Sequence, residues 1–598
     1  MDSGNGGGAA DASWQRVALS GELSTERPCG GVVSGVELVL VQSGGGLRAY
    51  QAQCPHQGTL LSEGEIVNGQ LVCRAHGWRF DVATGERDMP PRQCLRAYPV
   101  KSENGAVLVQ LGTKPEAASQ SLAVTPRRTL ADIPGPGGLP IFGNALQIDL
   151  PRLHVMLEDW ARQYGSIFKI RIMSHTALVI SDPALTEELL RNRPQGLRRT
   201  SNLEQVFAEM GTAGVFSAEG TAWRAQRRLA MQALSNRHQR VFFPTLRRVA
   251  ERLRQRWAEA AQSPEPIDID ADLMRFTVDV TTSLVFSTDM NTLGSGNDAL
   301  QGHLSLVFPA FARRLLAPFP YWRYLRLPTD RALDRSLAEV RKVQERLITE
   351  TRARLDARGE AEPEPRDFIE AMLLARDEDG NPFSDEVIYG NMMTMLLAGE
   401  DTTAHTLAWA VHLLCDRPDV MARMRREVDD ALGEHLTPHD FESAQRFPYL
   451  DAVANETMRL KPVAPFMGLE ANEDMVVGDI QVPKGTWLDV LTRLPTLSPD
   501  NFSDPESFKP ERWLNELPPD AAHKPNVSLP FGSGPRICPG RTLALLEMRV
   551  VLATLVRSFD VERVGPAEAV TERFSFTVSP EGLRVRLRPR AAVAVAAE

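Results

Sequence analysis

Cysteine is scarce in this chain of 598 residues: there are six, Cys29, Cys54, Cys73, Cys94, Cys415 and Cys538. So few, so widely spread, exclude a disulfide scaffold and suit a reducing compartment, where thiolates stay available to hold metal. Positive charge is also short. The formal net charge of -10 excludes the basic stripe of a nucleic-acid binder. No run of 18 apolar residues occurs, and the opening MDSGNGGGAADASW has neither the basic nor the apolar part of a secretion signal. A cytoplasmic protein without a transmembrane anchor is expected. No G-x-G-x-x-G stands between a strand and a helix, so neither flavin nor nicotinamide has a visible site. No repeat with a period of about 20 to 50 residues is present, which excludes a solenoid.

What remains is ordinary globular composition, 43% hydrophobic and 24% charged, in a chain too long for one core, so at least two folding units are expected. Residues 14–111 read as short strands punctuated by Gly, Asn-Gly and Pro. Residues 112–132, with Ser, Ala, Thr, Pro and charge but few large apolar side chains, have linker composition. From 133 to 590 the texture turns to long helical periodicity with a few strand pairs, such as FKIRIMSHTALVISD. The fold class is therefore multidomain, a small all-β unit followed by a mainly α unit with minor β.

Two motifs in the β unit mix one thiolate with one imidazole: Cys54-Pro55-His56, and sixteen residues on, Cys73-Arg74-Ala75-His76. A structural zinc site is the alternative, but zinc fingers group cysteines in one pair and histidines in the other. The stretches CPHQG and CRAHGWRFD resemble Rieske domains over residues 14–111. The resemblance implies a 2Fe-2S cluster held by Cys54, Cys73, His56 and His76, two thiolates on one iron and two imidazoles on the other. The loops lack the extra cysteines of respiratory Rieske proteins, so the low-potential ferredoxin type is implied, toward about -150 mV.

In the α unit, Phe531-Gly532-Ser533-Gly534-Pro535-Arg536-Ile537-Cys538-Pro539-Gly540 runs straight into the helical pattern RTLALLEMRVVLATLV. A cysteine at a helix N-terminus is favoured as thiolate by the exposed amides and dipole. With Phe531, Gly534, Arg536 and Cys538 at their places, this loop resembles the cytochrome P450 signature F-x-x-G-x-R-x-C-x-G. Further motifs follow the same order: Trp223 to Arg227 as W-x3-R, Glu456 to Arg459 as E-x2-R, and FKPERW. The resemblance spans roughly 133–590 and implies heme b on Cys538, with Trp223, Arg227 and Arg536 at the propionates and a buried network of Glu456, Arg459 and Arg512. It departs from the family where an Arg or His is expected after E-x2-R and the chain offers Leu469, Glu470 and Ala471; Arg493 is the candidate substitute.

Ala398-Gly399-Glu400-Asp401-Thr402-Thr403 resembles the family's oxygen-binding helix segment. That implies Thr402 as the hydrogen-bonding hydroxyl and Asp401 as the proton-relay acid; the alternative is that Thr402 merely bonds back to its own helix. Phe308, Phe311, Leu315, Leu316, Phe319, Tyr321 and Trp322 form either core or the wall of a substrate channel, with Val206 and Phe207 facing it in the second case. His435 and His439 have metal-pair spacing, but Pro438 between them favours a loop. The resemblances together imply a monooxygenase that uses O2 on a lipophilic small molecule, fed by an external flavin-dependent NAD(P)H reductase through the 2Fe-2S domain. A peroxygenase or isomerase, and a non-catalytic redox sensor, are the rivals.

Overall fold

The structure is a computed structural model; it describes residues 14–111 and 126–590, except 20–22, 26, 34–35, 44–45, 56–58, 75–77, 89–92, 288, 295–298, 316, 318, 360–364, 378–379, 515 and 519–520. His56 and His76 therefore lie outside the described residues.

The N-terminal unit is built from three antiparallel sheets. Trp14–Leu19 and Val100–Glu103 flank Ala106–Gln110. Cys29–Val33, Val36–Ser43, Gly46–Gln51 and Ala97–Tyr98 form the second. Glu65–Val67, Gln70–Val72 and Arg79–Asp81 form the third. Alternation of buried and half-buried residues along Ala106–Gln110 puts Val107 and Val109 in the core, the period-2 pattern of a strand with one wet face.

The second unit is mainly helical, around a five-stranded sheet ordered Ile167–Ile172, His175–Ile180, Trp487–Leu491, Phe466–Ala471 and Leu197–Arg199. Its central helix, Asp385–Leu414, opens on a Ser384 cap that accepts from the Val387 amide, satisfying one orphan donor of the first turn. Most of its length is buried, as an all-round apolar helix must be. Its closest partner is Ile269–Phe286, and the approach is possible because a Cβ at Gly399 would lie 2.2 Å from Thr281 Cγ2. Residues 126–132, within the stretch of linker composition, already pack on this unit, with Arg128 forked on Asp479 at 2.6–3.1 Å.

Among the described residues no helix is long and apolar enough to cross a membrane.

Candidate functional site

Both cysteine motifs of the β unit sit on tips of matching shape. Gln53 bridges Leu60, and Val72 pairs with Arg79. Inside each frame the cysteine amide donates five residues on: Cys54 N to Thr59 O at 2.8 Å, Cys73 N to Trp78 O at 2.7 Å. Cys54 and Cys73 are buried in one cluster with Val39, Tyr50, Leu61 and Phe80. Two equivalent loops, each carrying one thiol into a shared apolar core, suit a cluster held from two sides. That cluster of side chains also includes Ile537 and Phe531, from the Cys538 loop of the other unit.

In the α unit a cavity of about 1,110 Å³ lies between the Asp385–Leu414 helix and the Cys538 loop, with a mostly apolar lining. Cys538, Trp223, Arg227, Arg536, Phe531 and Thr402 all border it. Cys538 is an exposed cysteine, and this cavity is the space it borders. Burial pushes its thiol up, while the Gly540 amide and the guanidiniums of Arg227, Arg74 and Arg541 pull the other way; a coordinated metal cation would deprotonate it outright. The loop needs Gly534, because its φ is +71° and a Cβ would stand 2.3 Å from Leu190 O.

Positive charge is concentrated on one side of the cavity. Arg536 donates to Ala218 O at 2.8 Å and pairs with Glu219 at 2.5 Å, and its guanidinium lies 4.6 Å from the Trp223 ring centre. Arg193 and Arg199 border the same space. Burial lowers all three arginines to about 9; repulsion follows it at Arg193 and Arg199, while at Arg536 the opposing charge of Glu219 ranks ahead of the repulsion from its neighbours. Nε and Nη2 of Arg193, Nε of Arg199, and Nε and Nη1 of Arg536 are buried without a hydrogen-bond partner. Such a group of under-satisfied cations calls for anionic acceptors, a demand that the carboxylates of a cavity ligand such as heme would fit.

At the family departure the structure places Arg199 nearby: it sits on Leu197–Arg199, whose register sets it directly opposite Leu469, and it borders the cavity. Arg493 does not supply the missing cation. Its fork is closed on Glu158 at 2.7 and 2.9 Å and on Glu572 at 2.7 and 2.8 Å, away from the cavity lining. Arg227 divides its donors: Nε and Nη2 clasp Glu63 of the β unit at 2.7 and 2.8 Å, and Nη1 holds Ile537 O at 2.6 Å. The expected scaffold network is fully formed, with Glu456 accepting from Arg459, Arg512, Trp513 and the Lys509 amide at 2.8–3.1 Å.

On the Asp385–Leu414 helix, Thr402 borders the cavity and donates its hydroxyl hydrogen to Ala398 O at 2.7 Å. The bond back to the helix is the one the structure shows, and the oxygen stands on the cavity lining. Asp401 is not in the lining. It stands one turn before His405 on the same face, and His405 Nδ1 meets Asp270 Oδ1 at 2.9 Å. Burial raises Asp401 and neighbouring Asp270 adds to it, with His405 opposing. Burial, the largest single influence, disfavours a charged His405, yet the Asp270 bond together with the charges of Asp270 and Asp401 raises the pKa.

Glu547, on the Arg541–Ser558 helix, also borders the cavity. Burial holds it at about 8 against a bond from Thr403, and burial with repulsion from Asp401 holds Glu400 at about 8. An acid whose folded pKa exceeds its unfolded value of 4.5 binds its proton more tightly when folded, so stability falls as pH rises from about 4.5 to about 8. Glu547→Gln should flatten the stability–pH curve across that window in urea titrations, leaving the slope due to Glu400 and to Asp489, which burial holds at about 7. A variant curve as steep as wild type would contradict the assignment.

The aromatic segment is both wall and core. Leu315, Phe319 and Trp322 border the cavity, whereas Phe311 packs edge-on to Phe207 at 4.1 Å. Phe207 and Val206 face the core and not the channel; Leu203 and Gln205 of the same helix take the channel side. The side chain of Phe308 and all of Leu316 lie outside the described residues.

A cavity bordered by Cys538 and by buried, under-satisfied arginines, packed against a domain with two cysteine loops, suits a heme-thiolate protein with an iron-sulfur unit. The chain belongs to the cytochrome P450 family, whose pattern matches residues 133–587, and a Rieske [2Fe-2S] domain matches residues 13–99. Its cofactors are accordingly heme and a 2Fe-2S cluster. It is 28% identical over 77% of its length to a self-sufficient cytochrome P450 monooxygenase of Penicillium expansum, covering 43% of that protein. It is 28% identical over 76% of its length to the mitochondrial 25-hydroxyvitamin D-1 alpha hydroxylase of Homo sapiens, covering 92% of it. The chloroplastic protein LUTEIN DEFICIENT 5 of Arabidopsis thaliana is 26% identical over 71% of the chain, which covers 72% of that relative. The chain thus spans less than half the length of the Penicillium relative.

Proposed function

We propose that this protein is a monooxygenase that inserts one oxygen atom of O2 into a lipophilic organic substrate, with electrons delivered by its own Rieske domain from an external flavin-dependent NAD(P)H reductase. The observation that carries this reading is the shared core, in which Ile537 and Phe531 of the heme-thiolate loop pack with Cys54 and Cys73 of the cluster loops. Polar pairs reinforce the seam: Glu63 with Arg227, which is buried, Glu37 with Arg224 at 3.5 Å, which is half-buried, and Glu65 with Asn236 at 2.8 Å, which is exposed. When bound, the heme supplies oxygen binding and cleavage, and the cluster supplies one electron at a time.

The chain's own groups do the rest. The apolar lining excludes water from the substrate and selects a lipophilic one. Thr402 Oγ1, its hydrogen held by Ala398 O, accepts from a water in the cavity and fixes where a proton is offered. Asp401, whose carboxyl burial pushes up, is the relay acid behind it, and His405 with Asp270 links it to the surface side, where Asp270 is 21% exposed. A reducing compartment suits the cysteines, so the cytoplasm is the location in this reading.

Thr402→Ala should leave oxygen binding intact but divert reducing equivalents to peroxide, lowering product per NAD(P)H several-fold. Product and peroxide are measured together in one reaction. Wild-type coupling in the variant would count against the role of Thr402. Fast turnover of the wild type on peroxide alone, with no external electrons, would favour a peroxygenase.

A further inference from the structure

Each cluster loop is gripped by the other unit through an arginine. Pro55, which follows Cys54, gives its carbonyl to Arg191 at 3.2 Å, and Arg191 lies directly under the Gly534 turn. Arg74, which follows Cys73, makes the second grip by reaching into the other unit. Its Nη2 donates to Leu234 O at 3.0 Å, Thr542 Oγ1 at 3.0 Å and Pro539 O at 3.3 Å, and its Nη1 lies 3.5 Å from Met231 Sδ. Gln239 Nε2 braces two of these acceptors, Leu234 O at 2.8 Å and Thr542 Oγ1 at 2.7 Å. Pro539 follows Cys538 directly. One side chain therefore joins the residue after a cluster cysteine to the residue after the heme cysteine.

We propose that Arg74 is the key that seats the cluster loop on the heme-thiolate loop, and that its guanidinium closes a continuous link from Cys73 to Cys538. The planar guanidinium fixes Nη2 among oxygens of two separate segments while Nη1 faces Met231; a lysine ammonium keeps the charge without that fixed plane. Among the described contacts, the Glu63–Arg227 pair lies nine residues from Cys54 and orients the domains, whereas Arg74 acts at the ligand loops themselves. The inference rests on the Rieske domain being the electron donor: one electron leaves the reduced cluster, one ferric heme iron becomes ferrous, and no bond or proton moves.

The test uses the full chain with both centres loaded, comparing wild type, Arg74→Gln and Arg74→Lys. Hydrogen exchange reports seating through amides in residues 231–239 and 539–545. The rate at which a pre-reduced cluster reduces the heme under carbon monoxide reports transfer. Arg74→Gln should lose protection in both segments and slow transfer more than tenfold, with Arg74→Lys between it and wild type, while the cluster's EPR signal stays unchanged. Wild-type exchange in Arg74→Gln, or slowed transfer with protection intact, would overturn the seating role. If the wild-type cluster fails to reduce the heme, the donor reading falls, and the exchange data still decide the role of Arg74. Should Arg74→Gln not accumulate folded, Thr542→Val removes one acceptor from the opposite side and is read in the same way.

Discussion

Cys538→Ser should abolish the red-shifted ferrous-carbonyl band of thiolate-ligated heme and with it all oxygen insertion. Cys538 is the sulfur that the loop brings to the cavity, at the N-terminal end of Arg541–Ser558. A serine hydroxyl at the same place is far less acidic and pushes far less electron density onto iron, so scission of the O–O bond loses its drive. The expected change is a loss of activity by orders of magnitude with the heme cavity still formed, because the substitution is nearly isosteric. Carbon monoxide difference spectra of the purified variant check it. A persisting red-shifted band would mean that another sulfur holds the iron.

Glu456→Ala should prevent accumulation of the folded heme domain. Glu456 and its partners Arg459 and Arg512 are all at most 1% exposed, and the carboxylate is the acceptor for both guanidiniums at 2.8–3.1 Å. Removing it leaves two buried cations facing each other, and loss of one partner of a buried pair costs about 3–5 kcal/mol, a large part of the roughly 5–15 kcal/mol that holds a domain together. Heme content per polypeptide and the thermal unfolding midpoint measure the effect. A variant with full heme content and an unchanged midpoint would show that the network is not structural.

Features carried by short spacing were legible in the sequence. The two cysteine tips, the Glu456–Arg459 pair at helical spacing and the small-residue step at Gly399 each involve residues within one or two turns of each other. What could not be read was set by tertiary approach. Arg74 meets Pro539 across 465 residues and Arg227 meets Glu63 across 164, so nothing local marks Arg227 as an interdomain clasp as well as a cavity residue. Arg199 stands opposite Leu469 only because Leu197–Arg199 pairs with Phe466–Ala471. Arg493 looked available because Glu158 and Glu572, which neutralise it, come from distant elements. The role of His405 had a readable signal, its i,i+4 relation to Asp401, but its partner Asp270 belongs to another helix.

The separation of roles between the two units makes the electron route the central claim. Replacing both Cys54 and Cys73 by Ser in the full chain should remove the cluster while leaving the heme domain loaded. Given NAD(P)H and excess reductase, wild type should turn over steadily, and the double variant should fall to the background of uncoupled heme reduction, although chemical reduction under carbon monoxide still yields its full red-shifted band. Turnover of the cluster-free variant at the wild-type rate would contradict the account, because the reductase would then be feeding the heme without the Rieske domain.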